Sequence, residues 1–136
     1  MNQDRRNARE LALQLLFQSE FAPQISVYSF LQLYDNKYGT ETIEYAEQII
    51  KGVAEAKTKI DDKISSVSRN WKVDRMALVD RNILRVAIYE MKLGTEKLSE
   101  KIVINEAIEI AKKYGNTDSA GFINGILDQV GREEWL

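Results

Sequence analysis

Arginine carries most of the chemistry that this 136-residue sequence offers. Of eight arginines, Arg5, Arg6 and Arg9 fall within the first ten residues and Arg69, Arg75, Arg81 and Arg85 within seventeen, while Arg132 stands apart. Between residues 11 and 68 every positive charge is a lysine, interspersed with Glu41, Glu44, Glu47, Glu55, Asp61 and Asp62. Mixed lysine and glutamate suit a solvated helix surface. A guanidinium is instead a rigid fork of donors that matches a phosphate or a carboxylate. The two clusters therefore have two readings: salt bridges between helices, or contacts to a polyanion. Other chemistry is sparse. There is no cysteine and no histidine, which excludes thiol and imidazole nucleophiles or bases, a Ser-His-Asp triad, and a Cys/His zinc site. Glu106 and Glu109 lie three apart and could share a helix face, but no third acid stands at metal-ligand spacing. Phosphate-binding glycine loops and nucleophile elbows are missing as well. The residues point to binding rather than catalysis, with no cofactor and no metal expected.

The charge balance limits what kind of binding. With 19 basic and 21 acidic residues, the net charge is −2 and the isoelectric point about 5.3. No global positive field can gather nucleic acid; a local basic patch can. A hydrophobic content of 44% excludes a disordered chain, and the length suits one domain, residues 1–136, with a division expected near 68–80. The apolar runs are too short for a membrane span, and MNQDRRNARE is no signal peptide. Together with the missing cysteines, this leads to an expected cytoplasmic location.

The elements that must hold these residues are helical. Strand-like alternation is scarce and apolar residues recur every three to four positions, so the expected fold class is all-α, with about seven helices. They are expected over about 5–21, 26–38, 42–67, a short turn at 75–78, then 80–93, 103–114 and 119–130. Asp80 and Asp118 or Ser119 are read as N-caps, Gly115 as a left-handed C-cap, and Gly52 as a close-packing or weak point. The first helix should bury Ala8, Leu11, Ala12, Leu15 and Leu16. Leu13 and Phe17 then fall on the opposite side with Arg6, and Arg9 sits at its edge. That outward face could dock on another helix, receive a partner, or stack an unpaired base on Phe17 while arginines hold phosphates. On the helix after Asp80, Leu84, Ala87, Ile88 and Met91 form the buried stripe. Arg81, Arg85 and Tyr89 form a flanking line, either for phosphate and base or for salt bridges to Glu10, Glu90 or Glu106.

Four segments in register resemble the NusB family of bacterial transcription antitermination factors. They are Arg5-Arg6-Asn7-Ala8-Arg9-Glu10-Leu11-Ala12-Leu13-Gln14 with Leu16-Phe17; Val79-Asp80-Arg81-Asn82-Ile83-Leu84-Arg85-Val86-Ala87-Ile88-Tyr89-Glu90; Ile104-Asn105-Glu106-Ala107-Ile108-Glu109-Ile110-Ala111-Lys112-Lys113-Tyr114-Gly115; and Asp118-Ser119 with Phe122-Ile123-Asn124-Gly125-Ile126-Leu127-Asp128. The resemblance implies two small packed helical subdomains. It also implies a non-enzymatic RNA-binding factor that joins ribosomal protein NusE on the single-stranded boxA element of nascent ribosomal RNA and helps RNA polymerase read through terminators; a homodimer is a further possible state. By position it implies RNA contacts at Arg5, Arg6, Arg9, Phe17, Asp80, Asp118 and Phe122, with Asp80 also meeting the partner; the reading of the residues adds Gln14, Arg81 and Arg85 as candidate RNA contacts and Leu13, Phe17 and Asp118 as candidate partner contacts. Asn7 interrupts an arginine run that is longer in other members, and Phe17 lacks the hydroxyl of the tyrosine often found there.

Overall fold

The computed structural model describes residues 2–21, 38–69, 71–96 and 98–135. Among them are six α-helices: α1 (Asn2–Ser19), α2 (Thr40–Glu55), α3 (Lys57–Val67), α4 (Leu78–Ile88), α5 (Glu100–Tyr114) and α6 (Ser119–Arg132). A 3-10 turn, Val73–Arg75, precedes α4, and a π-helical turn, Tyr89–Leu93, follows it. The fold is all-α. The helix expected over 26–38 lies outside the described residues apart from Tyr38.

Apolar side chains sort into two clusters that share α1 and α4. Ala8, Leu11, Ala12, Leu15 and Leu16 of α1 meet Ala46, Ile49 and Val53 of α2, closed by Val86 of α4. The larger cluster joins Ile60 and Ile64 of α3, Leu84 and Ile88 of α4, Val103 and Ala111 of α5, and Ile123 and Leu127 of α6. The expected stripes on α1 and α4 are the buried ones. Of the readings open for the opposite face of α1, Leu13 takes docking within the chain: it is 4% exposed and packs in the larger cluster, which corrects its assignment as a partner contact. α1 lies between two apolar layers, and burying that leucine contributes roughly 1.5–3 kcal/mol.

The expected 42–67 helix breaks at Ala56, whose φ of −108° and ψ of 14° leave the helical well. The break separates the stripe of α2, which serves the first cluster, from Ile60 and Ile64, which serve the second. Gly52 marks close packing: a Cβ there would stand 2.0 Å from Cε1 of Tyr89, so the ring occupies the space of a side chain.

Three end signals also differ. α4 begins at Leu78 with Ala77 in the N-cap position, so Asp80 is not a cap; it is buried and accepts a 2.7 Å hydrogen bond from Ser119 Oγ. α5 begins at Glu100 because Ser99 Oγ accepts from the Ile102 amide. Gly115 is extended (φ −90°, ψ −175°) rather than left-handed, and a Cβ there would come within 2.8 Å of the Ala111 carbonyl. Close approach, not a left-handed cap, accounts for that glycine. Asp118 occupies the N-cap position of α6 without a side-chain bond, while Ser119 Oγ accepts from the Asn116 amide.

Candidate functional site

The α1 arginines lie on a line that sinks from surface to core, and their surroundings change accordingly. Arg5 pairs with Glu96 and lies 4.7 Å from the Tyr45 ring centroid. Arg6 forks onto Glu106 of α5 through Nε and Nη2, both at 3.0 Å, while its own side chain stays 52% exposed. Arg9 is different: it is 5% exposed, donates from Nε to Glu90 at 2.7 Å and from Nη1 to Glu106 at 3.1 Å. Burial disfavours its charge most strongly, but the Glu90 hydrogen bond together with the Glu90, Tyr45 and Glu106 charges outweighs it, so its basicity rises above the ordinary guanidinium value. Glu90 is itself 2% exposed and also accepts from the Tyr45 hydroxyl at 2.5 Å. Burial, and then the Glu90 charge, raise the Tyr45 hydroxyl's pKa. Further along, Glu10 accepts from Lys113 and Tyr114. The polar edge of α1 is therefore tied to α5 by alternating charges.

In the second cluster, Arg81 and Arg85 belong to a largely buried network, while Arg69 and Arg75 are exposed. Arg81 donates to both Glu20 oxygens at 2.8–2.9 Å and to the Val73 carbonyl. Arg85, 5% exposed, forks onto Asp61 with two 2.9 Å bonds and reaches Glu20 and Asn82 through Nη1. Tyr89, third on that flank, lies against Gly52. Salt bridges thus account for Arg81 and Arg85, but the acids are Glu20 and Asp61 rather than Glu10, Glu90 or Glu106. These guanidinium groups pin the C-terminal end of α1 and the side of α3 to α4.

Glu20 reports on this network. The hydrogen bond from Arg81 comes first in holding its carboxyl well below the ordinary 4.5, at about 2, with Asn82 and the Arg81 and Arg85 charges adding and partial burial opposing. A carboxyl whose folded pKa is depressed contributes stability that is full above its unfolded value and is lost as pH falls through the folded one. The expected result is a wild-type unfolding midpoint that drops between about pH 4.5 and about pH 2 more steeply than that of Glu20→Gln. Urea melts across that range check this, and parallel curves would contradict it.

What remains open at the surface is a shorter list than the sequence suggested. Arg6 and part of Arg5 reach solvent, and Gln14 is half-buried. Phe17 is half-buried and meets Phe21 edge-on, with centroids 5.4 Å apart at 62°; Phe21 is 64% exposed. Asp118 is exposed beside the buried Ser119–Asp80 bond, and Phe122 is half-buried against the larger cluster. Sequence reasoning passed over Phe21, although its four-residue spacing from Phe17 was visible, and over Glu20 and Asp61 as arginine partners. Among the described residues there is no group of three or more acids that could hold a metal ion, and no helix long and apolar enough to cross a membrane.

An all-α scaffold that shows solvent guanidinium groups at one end of a helix and aromatic edges at the other defines a helical binding protein. The NusB family profile matches residues 6–132, and the chain belongs to that family. The transcription antitermination protein NusB of Bdellovibrio bacteriovorus is 57% identical over 128 residues, spanning 94% of this chain and 95% of that protein. NusB of T. maritima superposes with a TM-score of 0.84 at 38% identity, over 95% of this chain and 91% of the other. A structure of antitermination factors NusB and NusE in complex with dsRNA shares the fold, with a TM-score of 0.84 at 21% identity over 97% and 98% of the two chains.

Proposed function

We propose that this protein is a non-enzymatic, cytoplasmic RNA-binding factor that joins ribosomal protein NusE on boxA-type single-stranded RNA in nascent ribosomal transcripts, within an RNA polymerase complex that reads through terminators. The observation that carries the reading is the contrast within α1. Arg6 lies half-exposed on a single rim carboxylate, with Arg5 beside it, while Arg9 behind them is sealed by Glu90 and Glu106. Exposed ion pairs contribute about 0–1 kcal/mol, so a phosphate can take Arg5 and Arg6 from Glu96 and Glu106 at little cost. In this account those two position the backbone, Phe17 and Phe122 offer stacking edges, and Gln14 and Asp118 read base edges or meet NusE. Arg9, Asp80, Arg81, Arg85 and Leu13 act through the fold that holds the others. The relatives' shared name and the NusB–NusE–RNA assembly built on the same fold support the reading.

A labelled boxA-like RNA and a scrambled RNA of equal length, titrated with and without NusE, test it. Tighter binding of the boxA-like strand, strengthened by NusE, is expected; equal affinity for both strands with NusE present would sink the claim of selectivity.

A further inference from the structure

Six of the eight arginines are engaged by carboxylates: Arg5, Arg6, Arg9, Arg81, Arg85 and Arg132. Arg69 and Arg75 are the exceptions: both are exposed, and among the described residues neither makes an ion pair. Between them lie Trp71, 52% exposed, and the exposed Lys72. A tryptophan half in water is unusual in a chain that buries its aliphatic residues thoroughly, and nothing in the packing requires it. The segment holds three cations and one acid, Asp74, for a local charge of +2 in a protein whose net charge is −2.

The local geometry presents these groups outward. The Trp71 amide donates to Ser68 Oγ at 3.3 Å, fixing the backbone where α3 ends. The 3-10 turn then buries Val73 and Met76 while leaving Lys72 and Arg75 in water. Burial thus separates the two cations, which face water, from the two apolar anchors, which face the core. The turn is also tied to the end of α1, because Arg81 bonds both the Val73 carbonyl and Glu20. The indole therefore stands beside a turn that Arg81 braces against Glu20, the residue after α1.

We infer that Arg69, Trp71, Lys72 and Arg75 form a second contact surface for single-stranded RNA. A base stacks on the Trp71 indole while the three cations hold flanking phosphates, and strand sequence is read elsewhere. Stacking is tolerant of base identity because every base has a π-face, and the cations supply the salt-sensitive part of the binding. A protein partner would be expected to match exposed apolar surface with apolar surface; a half-exposed indole in a segment of net charge +2 matches a base between phosphates. The inference rests on the RNA-binding reading above and extends the RNA's path beyond α1.

The 136-residue chain carrying Trp135→Phe leaves Trp71 as its sole tryptophan. This exchange is mild, because the Trp135 indole nitrogen is buried without a partner. Titrating that protein with a fluorescein-labelled 15-nucleotide oligouridylate follows total binding by anisotropy and contact at the patch by indole emission. Saturable quenching of Trp71 that parallels the anisotropy is expected. Trp71→Ala should weaken affinity about 5- to 150-fold at an unchanged melting temperature, with Trp71→Phe recovering part of the loss. Arg69→Gln with Arg75→Gln should flatten the salt dependence. Anisotropy that saturates while Trp71 emission stays flat overturns this inference alone, and so does a Trp71→Ala protein that loses NusE binding with RNA affinity intact. No anisotropy change with this oligonucleotide or with a boxA-like RNA overturns the RNA-binding reading itself.

Discussion

Glu90→Ala is expected to be among the most damaging single changes in the protein, costing about 3–5 kcal/mol of unfolding free energy. The reason lies in what it strands. Glu90 is 2% exposed and holds both the Arg9 guanidinium at 2.7 Å and the Tyr45 hydroxyl at 2.5 Å. Without it, a cation that is 5% exposed retains only Glu106, and the half-buried Tyr45 hydroxyl loses its acceptor. Removing one member of a buried pair costs far more than the pair contributes, because the remaining charge was desolvated for a partner it no longer has. Replacing both Arg9 and Glu90 with leucine should therefore recover much of the loss. Urea unfolding of the two single variants and the double variant checks this; a Glu90→Ala loss below about 1 kcal/mol would contradict a buried charged pair at this position.

Arg85→Ala should cost about 3 kcal/mol, the low end for breaking a buried pair, because its main partner Asp61 is partly exposed and can rehydrate. Four bonds disappear: two to Asp61, one to Glu20 and one to Asn82. Arg85→Lys should regain only part of this, since an ammonium cannot reproduce the fork onto the Asp61 carboxylate. RNA affinity, measured at a temperature where the variant is folded, should stay within about twofold of wild type, because a 5% exposed guanidinium that already spends four of its five donors inside the protein is closed to a phosphate. A clear loss of RNA affinity by folded Arg85→Ala would return Arg85 to the RNA face.

The two arginine clusters show what periodicity can and cannot reveal. Apolar spacing correctly selected Ala8, Leu11, Ala12, Leu15 and Leu16 on α1 and Leu84, Ala87, Ile88 and Met91 after Leu78, because each stripe answers to one cluster. For Leu13 spacing left docking within the chain and a partner contact both open; docking wins because α1 is covered from two sides, and a wheel drawn for one helix does not show the second layer. The arginine partners escaped for a related reason: Asp61 is 24 residues from Arg85, Glu20 is 65, and Glu90 is 81 from Arg9, separations no local pattern encodes. The division of the long helix at Ala56 was equally silent, since Val53 and Ile60 keep a helical interval while serving different clusters. Ser99 was legible as a capping residue, and so was Phe21 as the four-residue neighbour of Phe17. Clustering in the sequence and the family resemblance both pointed to the α1 arginines; only the structure separates the sealed Arg9 from the open Arg6.

That separation is the centre of the account, and the salt dependence of RNA binding addresses it most directly. With roughly three to five phosphate contacts on single-stranded RNA, log K against log salt should fall with a slope of about −2 to −3.5. Arg5→Ala with Arg6→Ala should reduce the magnitude of that slope by about 1.4, two contacts' worth, with no change in melting temperature. An unaltered slope in the double variant, or a loss of binding that tracks a loss of stability, would contradict the assignment of RNA contact to the open end of α1.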